Sequence, residues 1–387
     1  MKNSHFKFLL VFALLAIIIS CNRENVIPEN TFNPQLPDEA LNYTSVMSDV
    51  NNFILPEVLL AETESPFGHE VVSGGLTNTI FQRVENDEIA TLGRVLFYDK
   101  HLSRNNSISC ASCHKQALAF SDDKALSEGF GGVLTSRNSS AIVNPLVSKN
   151  FFWDSRSFSL EDLALRPIQN HIEMGMENMD ELTAKLSQNE YYDDLFVKAY
   201  GSENITPNRL AESISQFVAS IFKRDSKFDT GLQNDFSNFS ELEKHGMALF
   251  FSETTQCAKC HAGANFSTPT GFGNEYEDTG GSTNIGLNLV YEDNGFENGK
   301  FKIPSLRNIS LTAPYMHDGR FETLGEVFDH YNDGIQPHED LDHKLNNNGT
   351  PVSMGLTDLD MRAMEAFLNT LTSATITTDE RFSNPFD

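Results

Sequence analysis

Cys110-Ala-Ser-Cys113-His114 returns later in the chain as Cys257-Ala-Lys-Cys260-His261, and no other feature restricts the fold as much. Two thiols three positions apart can both bond the vinyl groups of one haem. The histidine that follows is then placed beneath the iron, which makes C-x-x-C-H a c-type haem attachment pattern. A zinc knuckle would set two Cys pairs close together or add a His-x(3–5)-His arm, and neither is present. A dithiol redox pair is the other reading of either motif taken singly. Because the pattern occurs twice, the expected cofactors are two covalently bound haem c groups. Cys110, Cys113 and His114 would hold the first, and Cys257, Cys260 and His261 the second, with His114 and His261 as iron ligands.

At 387 residues the chain can form two domains with a sizeable core, and 39% hydrophobic against 21% charged residues places it among globular proteins. A formal charge of −26 argues against nucleic acid and anionic membrane surfaces as partners and favours basic or neutral ones. The same acidity also serves simply to solvate the surface. Lys2 and Lys7 precede an apolar run from Phe8 to Ile19, too short to span a bilayer, and Ile18-Ile19-Ser20-Cys21 resembles a bacterial lipobox. Residues 1–20 therefore read as a lipoprotein signal peptide, with Cys21 carrying lipid and residues 21–78 as a tether with a short helix near Val50 to Leu60. The expected location is the periplasmic side of a bacterial membrane, the outer one favoured, held by the lipid anchor alone. Export suits haem attachment, which bacteria perform outside the cytoplasm.

The duplication extends beyond the motifs. Gly93-Arg-Val-Leu-Phe97-Tyr98 precedes the first, Gly246-Met-Ala-Leu-Phe250-Phe251 the second, and Phe-Ser pairs (Phe120-Ser121, Phe266-Ser267) follow them. Each copy then closes with an amphipathic helix. Thr206 caps one, with Pro207 at its first position and a stripe of Ile214, Phe217, Val218 and Ile221. Thr357 caps the other, with a stripe of Met364, Phe367, Leu368 and Leu371. Ser240 and Glu243 read as a capping box before the second motif. The expected fold class is all-α: two cytochrome-c-like domains, 79–235 and 236–387, each with one haem.

An electron-carrying cytochrome fills both axial positions of its iron, so the inserts between motif and closing helix decide the chemistry. The first contains Arg137-Asn138, Phe152-Trp153-Asp154 and Pro167-Ile-Gln-Asn-His-Ile-Glu173-Met174-Gly175. The second contains Pro304-Ser-Leu-Arg307-Asn308 and Thr312-Ala-Pro314-Tyr315-Met316-His317-Asp318-Gly319. On these phrases, residues 80–375 resemble the bacterial di-haem cytochrome c peroxidase family, which includes the tryptophylquinone-forming enzyme MauG.

The resemblance implies a peroxidatic N-terminal haem, an electron-storing C-terminal haem and a calcium ion between the domains. It makes Glu173 the distal acid–base residue and Trp153 the tryptophan between the haems. Asn138 would bind calcium by its side chain, and Thr312 and Pro314 by backbone oxygens. In other members a methionine ligates the second iron fourteen residues after the histidine of H-D-G; counting from His317 gives Tyr331, as in MauG. Met316, Met354 and His330 are the alternative ligands there, and Met174, Met176 or Met179 could close the first iron. Two departures stand out. Phe130 occupies the place of a histidine that blocks the first iron until the second haem is reduced, with His171 the nearest substitute, and Leu163 replaces a glutamine. The leading function is reduction of hydrogen peroxide to water with electrons from a small c-type cytochrome or cupredoxin. A MauG-like oxidase of a protein partner is the alternative, and a di-haem electron carrier the non-catalytic one. The oligomeric state, a homodimer included, is left open.

Overall fold

Two helices in each half carry the architecture, and both pairs cross at a glycine. In the first half Asn86 caps the helix Asp87–Tyr98 by accepting the amides of Glu88 and Ile89, and Asp87 and Glu88 suit the positive helix start. Thr206 caps Pro207–Ser220 as expected, and its Leu210, Ile214, Phe217 and Val218 are buried. These two helices pack at Gly93, where a Cβ would lie 1.8 Å from the Ser213 carbonyl oxygen. The second half repeats the device. Ser240 and Glu243 form the capping box of Glu241–Phe250, and Thr357 and Asp360 form that of Asp358–Asn369. A Cβ on Gly246 would lie 1.8 Å from the Ala363 oxygen. The repeated G-x-x-L-F phrase is thus a close helix crossing used twice.

The computed structural model describes residues 33–50, 83–263, 265–268, 276 and 278–387. The leader, Cys21 and most of the helix expected near 50–60 lie outside the described residues. The fold is largely helical; strands among the described residues are confined to two short antiparallel pairs, Ser282–Thr283 with Phe301–Lys302 and Asn346–Asn347 with Thr350–Pro351. None of the described helices is long and apolar enough to cross a membrane.

The described residues from 35 onward form one compact unit with two main apolar cores. The first gathers Phe97, Phe120, Ile214 and Phe217, and the second Phe228, Phe250, Phe266 and Phe367. Two segments pack differently from the sequence expectation. Within the expected tether, Tyr43, Val46 and Val50 enter the first core; the Tyr43 amide donates to Asp87 and its hydroxyl to the Arg381 carbonyl. The end of the chain, expected with the second domain, returns to the first core through Ile376 and Phe382. Arg94 donates to the Ser383 oxygen and Tyr98 to that of Phe382. The apolar residues that dock the early segment are spaced among Asn and Ser, a pattern too sparse to stand out in the sequence.

Candidate functional site

A cavity of 1490 Å³ runs through this unit. That exceeds the roughly 300–1,000 Å³ of an ordinary small-molecule pocket. Both C-x-x-C-H motifs open into it. Cys110–Cys113 and Cys257–Cys260 are single helical turns, and none of the four cysteines forms a disulfide.

The histidines are oriented alike. His114 Nδ1 lies 2.9 Å from the Phe120 oxygen; His261 Nδ1 lies 3.2 Å from that of Phe266 and 3.1 Å from that of Pro304. A carbonyl oxygen can only accept, so Nδ1 carries the proton in each ring and Nε2 keeps its lone pair for a metal. Burial lowers the pKa of His114 and pushes that of His261 down to about 4, against the opposing pull of those carbonyls, so both rings stay neutral. Phe120 and Phe266 hold left-handed backbone, φ 61° and 48°, unusual for a bulky residue. The repeated Phe-Ser pair therefore marks the turn that presents a carbonyl to each histidine.

Several buried polar groups on the wall need a partner from the cavity. Both side-chain polar atoms of Asn265, and His317 Nδ1, are buried without a hydrogen-bond partner among the described residues. The Lys302 amine, brought down to about 8 by burial, faces the same space. Free thiols, neutral imidazoles, orphaned donors and a buried cation suit haem, which presents vinyl groups, iron and anionic propionates. The residues fit the group.

Glu173 sits on the wall beside the first motif, just beyond the helix Leu160–Gln169. Asn170 organises its turn. The Asn170 Oδ1 accepts the Ile172 amide at 2.9 Å, its Nδ2 donates to Glu173 Oε1 at 3.1 Å, and its carbonyl accepts the Gly175 amide at 2.8 Å. Burial raises the Glu173 pKa, with the Arg156 charge partly opposing it. Phe130 is not on the cavity wall. Its amide donates to the Glu173 carbonyl at 3.0 Å and its ring lies over Gly175, where a Cβ would come within 2.3 Å of it. Gly175 has φ +72°, so the E-M-G turn needs glycine for both reasons. His171 is exposed and off the wall, whereas Leu163 and Met174 line it and Met176 is buried in the first core.

Trp153 forms part of the wall and stitches the halves together. Its Nε1 donates to the Asn138 oxygen at 2.9 Å, its carbonyl accepts the Lys302 amide at 2.7 Å, and the Asn138 amide donates to the His317 oxygen at 2.7 Å. Arg137 adds a bidentate pair with Asp293 and an ion pair with Asp154. The Asn138 side-chain Nδ2 donates to the Lys124 and Ala125 carbonyls; Asn138, Thr312 and Pro314 line the same cavity.

Tyr331 lies in the π-helical turn His330–Gly334 that continues the helix Leu324–Asp329, an irregularity frequent at functional sites. Its phenol faces the cavity and makes no hydrogen bond to a described residue, and burial, with the nearby Cys260, Cys257 and Asp342, raises its pKa. Among the alternatives, Met316 and Met354 also line the cavity, while His330 turns its Nε2 to the Ile285 oxygen at 3.0 Å and does not. Sequence reasoning did not reach Asn170 as the organiser of the Glu173 turn, nor Tyr276, Asp342 and Lys344 beside Cys260. For Asn170 the signal was its i, i+3 spacing to Glu173; for the others the sequence separations leave none.

The model of the di-haem cytochrome c peroxidase family matches residues 87–237. The methylamine utilization protein MauG of Methylorubrum extorquens is 33% identical over 73% of this chain and 78% of its own. Cytochrome c551 peroxidase of Nitrosomonas europaea is 32% identical over 63% and 72%. A crystal structure of a MauG-like protein associated with microbial copper homeostasis superposes with TM-score 0.68 at 32% identity, covering 78% of this chain and 94% of that one. With two haem-attachment motifs opening into one cavity and relatives of both names, the chain belongs to the di-haem cytochrome c peroxidase family and is a peroxidase-type oxidoreductase.

Proposed function

We propose that this protein reduces hydrogen peroxide to water with two electrons and two protons, the electrons coming from a small c-type cytochrome or cupredoxin. Two haem c groups would be held covalently, one by Cys110, Cys113 and His114 within 79–235, the other by Cys257, Cys260 and His261 within 236–387. The observation that carries this reading is the buried Glu173 carboxyl on the cavity wall beside the first motif, held by Asn170. Haem, when bound by these residues, would supply the redox chemistry that peroxide reduction requires. Glu173 takes a proton from one peroxide oxygen and returns it to the other, so that water departs. Burial, which raises its pKa, moves it toward the range where it can do both. Trp153, on the shared wall, would pass electrons between the sites. Phe130 has no ligating atom and is held on Gly175, so the first iron would be open in the fully oxidised protein. Asn138, Thr312 and Pro314 supply neutral oxygens of the kind calcium accepts, with water completing the shell. The leader supports export and a lipid on Cys21.

A second reading, oxidation of side chains on a protein partner, is favoured by Tyr331. As a phenolate ligand Tyr331 would favour higher oxidation states of a bound iron, suiting that site to storing oxidising equivalents rather than accepting electrons. Mixing the haem-loaded ferric protein with peroxide tests both. Rapid turnover of a reduced cytochrome supports the first, and a long-lived oxidised state with poor turnover supports the second. An unresponsive Soret band rules out both, and a response only after one-electron reduction refutes the role given to Phe130.

A further inference from the structure

Beside the second motif lies a buried polar cluster that peroxide chemistry at Glu173 does not use. The Tyr276 hydroxyl is 3.1 Å from Cys260 Sγ, donates to Asp342 Oδ2 at 2.9 Å and accepts from Lys344 Nζ at 2.9 Å. Asp342 Oδ2 also accepts from Thr283 Oγ1 at 2.6 Å, and its Oδ1 accepts the Lys344 amide at 2.9 Å. Tyr276 is 4% exposed and Asp342 7%, and all five residues line the cavity.

A phenol gives up an electron readily only when its proton has an acceptor already in hydrogen-bond contact, because the protonated radical cation is a very strong acid. Asp342 is such an acceptor. Burial alone would raise its pKa, but Thr283, the Lys344 amide and the Lys344 charge hold it below the ordinary carboxylate value, so it is ionised and ready. The sulfur 3.1 Å from the phenol oxygen is the atom that would join the second haem to the chain, which gives the electron a short path. Other tyrosines lack one half of this arrangement. Tyr191 and Tyr192 donate to Asp99 at 2.7 and 2.6 Å but do not line the cavity, and Tyr331 lines it without an acceptor among the described residues.

We propose that Tyr276 is a redox-active tyrosine that gives one electron to the second haem centre after peroxide has oxidised the enzyme, while its phenolic proton passes to Asp342. The phenolic O–H bond breaks, leaving a neutral tyrosyl radical and a protonated Asp342. One electron from the reduced donor protein and the same proton restore the phenol. This step rests on the peroxide reading above.

The test is freeze-quenched electron paramagnetic resonance of the haem-loaded ferric protein after one equivalent of peroxide, without donor, with ring-deuterated tyrosine to identify the radical. A tyrosyl signal is expected in the wild type, lost in Tyr276→Phe and in Asp342→Asn, and retained in Tyr191→Phe. A Soret band that responds to peroxide with no tyrosyl signal overturns the assignment to Tyr276 alone. An unresponsive Soret band overturns the peroxide reading and this step with it. Should Tyr276→Phe fail to load haem, Asp342→Asn decides: a radical forming there at the wild-type rate and yield overturns the proposal.

Discussion

Asp229→Asn should cost the fold about 3–5 kcal/mol, the usual loss when one partner of a buried ion pair is removed. Arg307 Nη1 and Nη2 each lie 2.9 Å from an Asp229 oxygen, and the two side chains are 3% and 4% exposed. Asp229 also accepts the Ser226 amide at 3.0 Å and the Ser226 hydroxyl at 2.6 Å. The guanidinium lies 6.0 Å from the centre of the Phe266 ring, and Phe266 is the residue whose carbonyl orients His261. The damage should therefore register at the second haem. A urea titration of the haem-loaded protein, followed by circular dichroism and by the Soret band, reads the change. With a slope of about 3 kcal/mol/M the midpoint falls by about 1–1.7 M. The double variant Asp229→Leu/Arg307→Met removes both charges and should lose much less, because an apolar pair of similar volume replaces a buried ion pair almost neutrally. Burial alone would raise the Asp229 pKa, yet Arg307 and Ser226 hold it below its ordinary 3.8. The stabilisation is thus complete above that value and is lost as pH falls through the lower folded value, so wild type and variant converge only in strong acid. A single-variant loss under about 1 kcal/mol, or a double variant as weak as the single, would refute this account.

Glu173→Gln should keep both haems and lower peroxide turnover by about 10²–10⁴-fold, measured with a reduced cytochrome; unchanged turnover removes Glu173 from the mechanism. In Tyr331→Phe the low-spin ferric signal of one haem should disappear, whereas a persisting methionine–iron charge-transfer band would assign that position to a methionine. Gly246→Ala forces a methyl group into the Ala363 carbonyl and should destabilise by about 1–3 kcal/mol or more, seen as a lower urea midpoint; a neutral effect would mean the helices do not cross there.

Local features of this fold could be read from the chain. Thr206, Ser240 and Thr357 cap where expected, because a cap is decided within a few residues of itself. The stripes of the closing helices are buried for the same reason. The repeated Phe-Ser pair was visible as a repeat, but its use was not, since a left-handed phenylalanine has no sequence signature. Long-range pairings were silent. Asp229 and Arg307, or Tyr276 and Asp342, are joined only by the folded path of the chain. Phe130 was seen as a missing ligand, but its packing on Gly175 depends on two loops meeting. Tyr43 stood among polar residues whose composition suggested solvent, and its burial follows from Asp87 and Arg381 receiving its polar groups.

The return of residues 376–382 to the first core also sets the order in which that core can be completed. Ile376 and Phe382 are fully buried there, beside Phe120 and Phe217, and Lys223 pairs with Asp379. The first core is thus closed by residues that follow the whole of the second core in sequence. Contacts of such long sequence separation form slowly. The core beside Cys110 therefore stays unfinished until residues 376–382 have docked. With haem attached as proposed above, such an interval would leave the first thiols accessible to that attachment, and residues 376–382 would act as the latch that ends it.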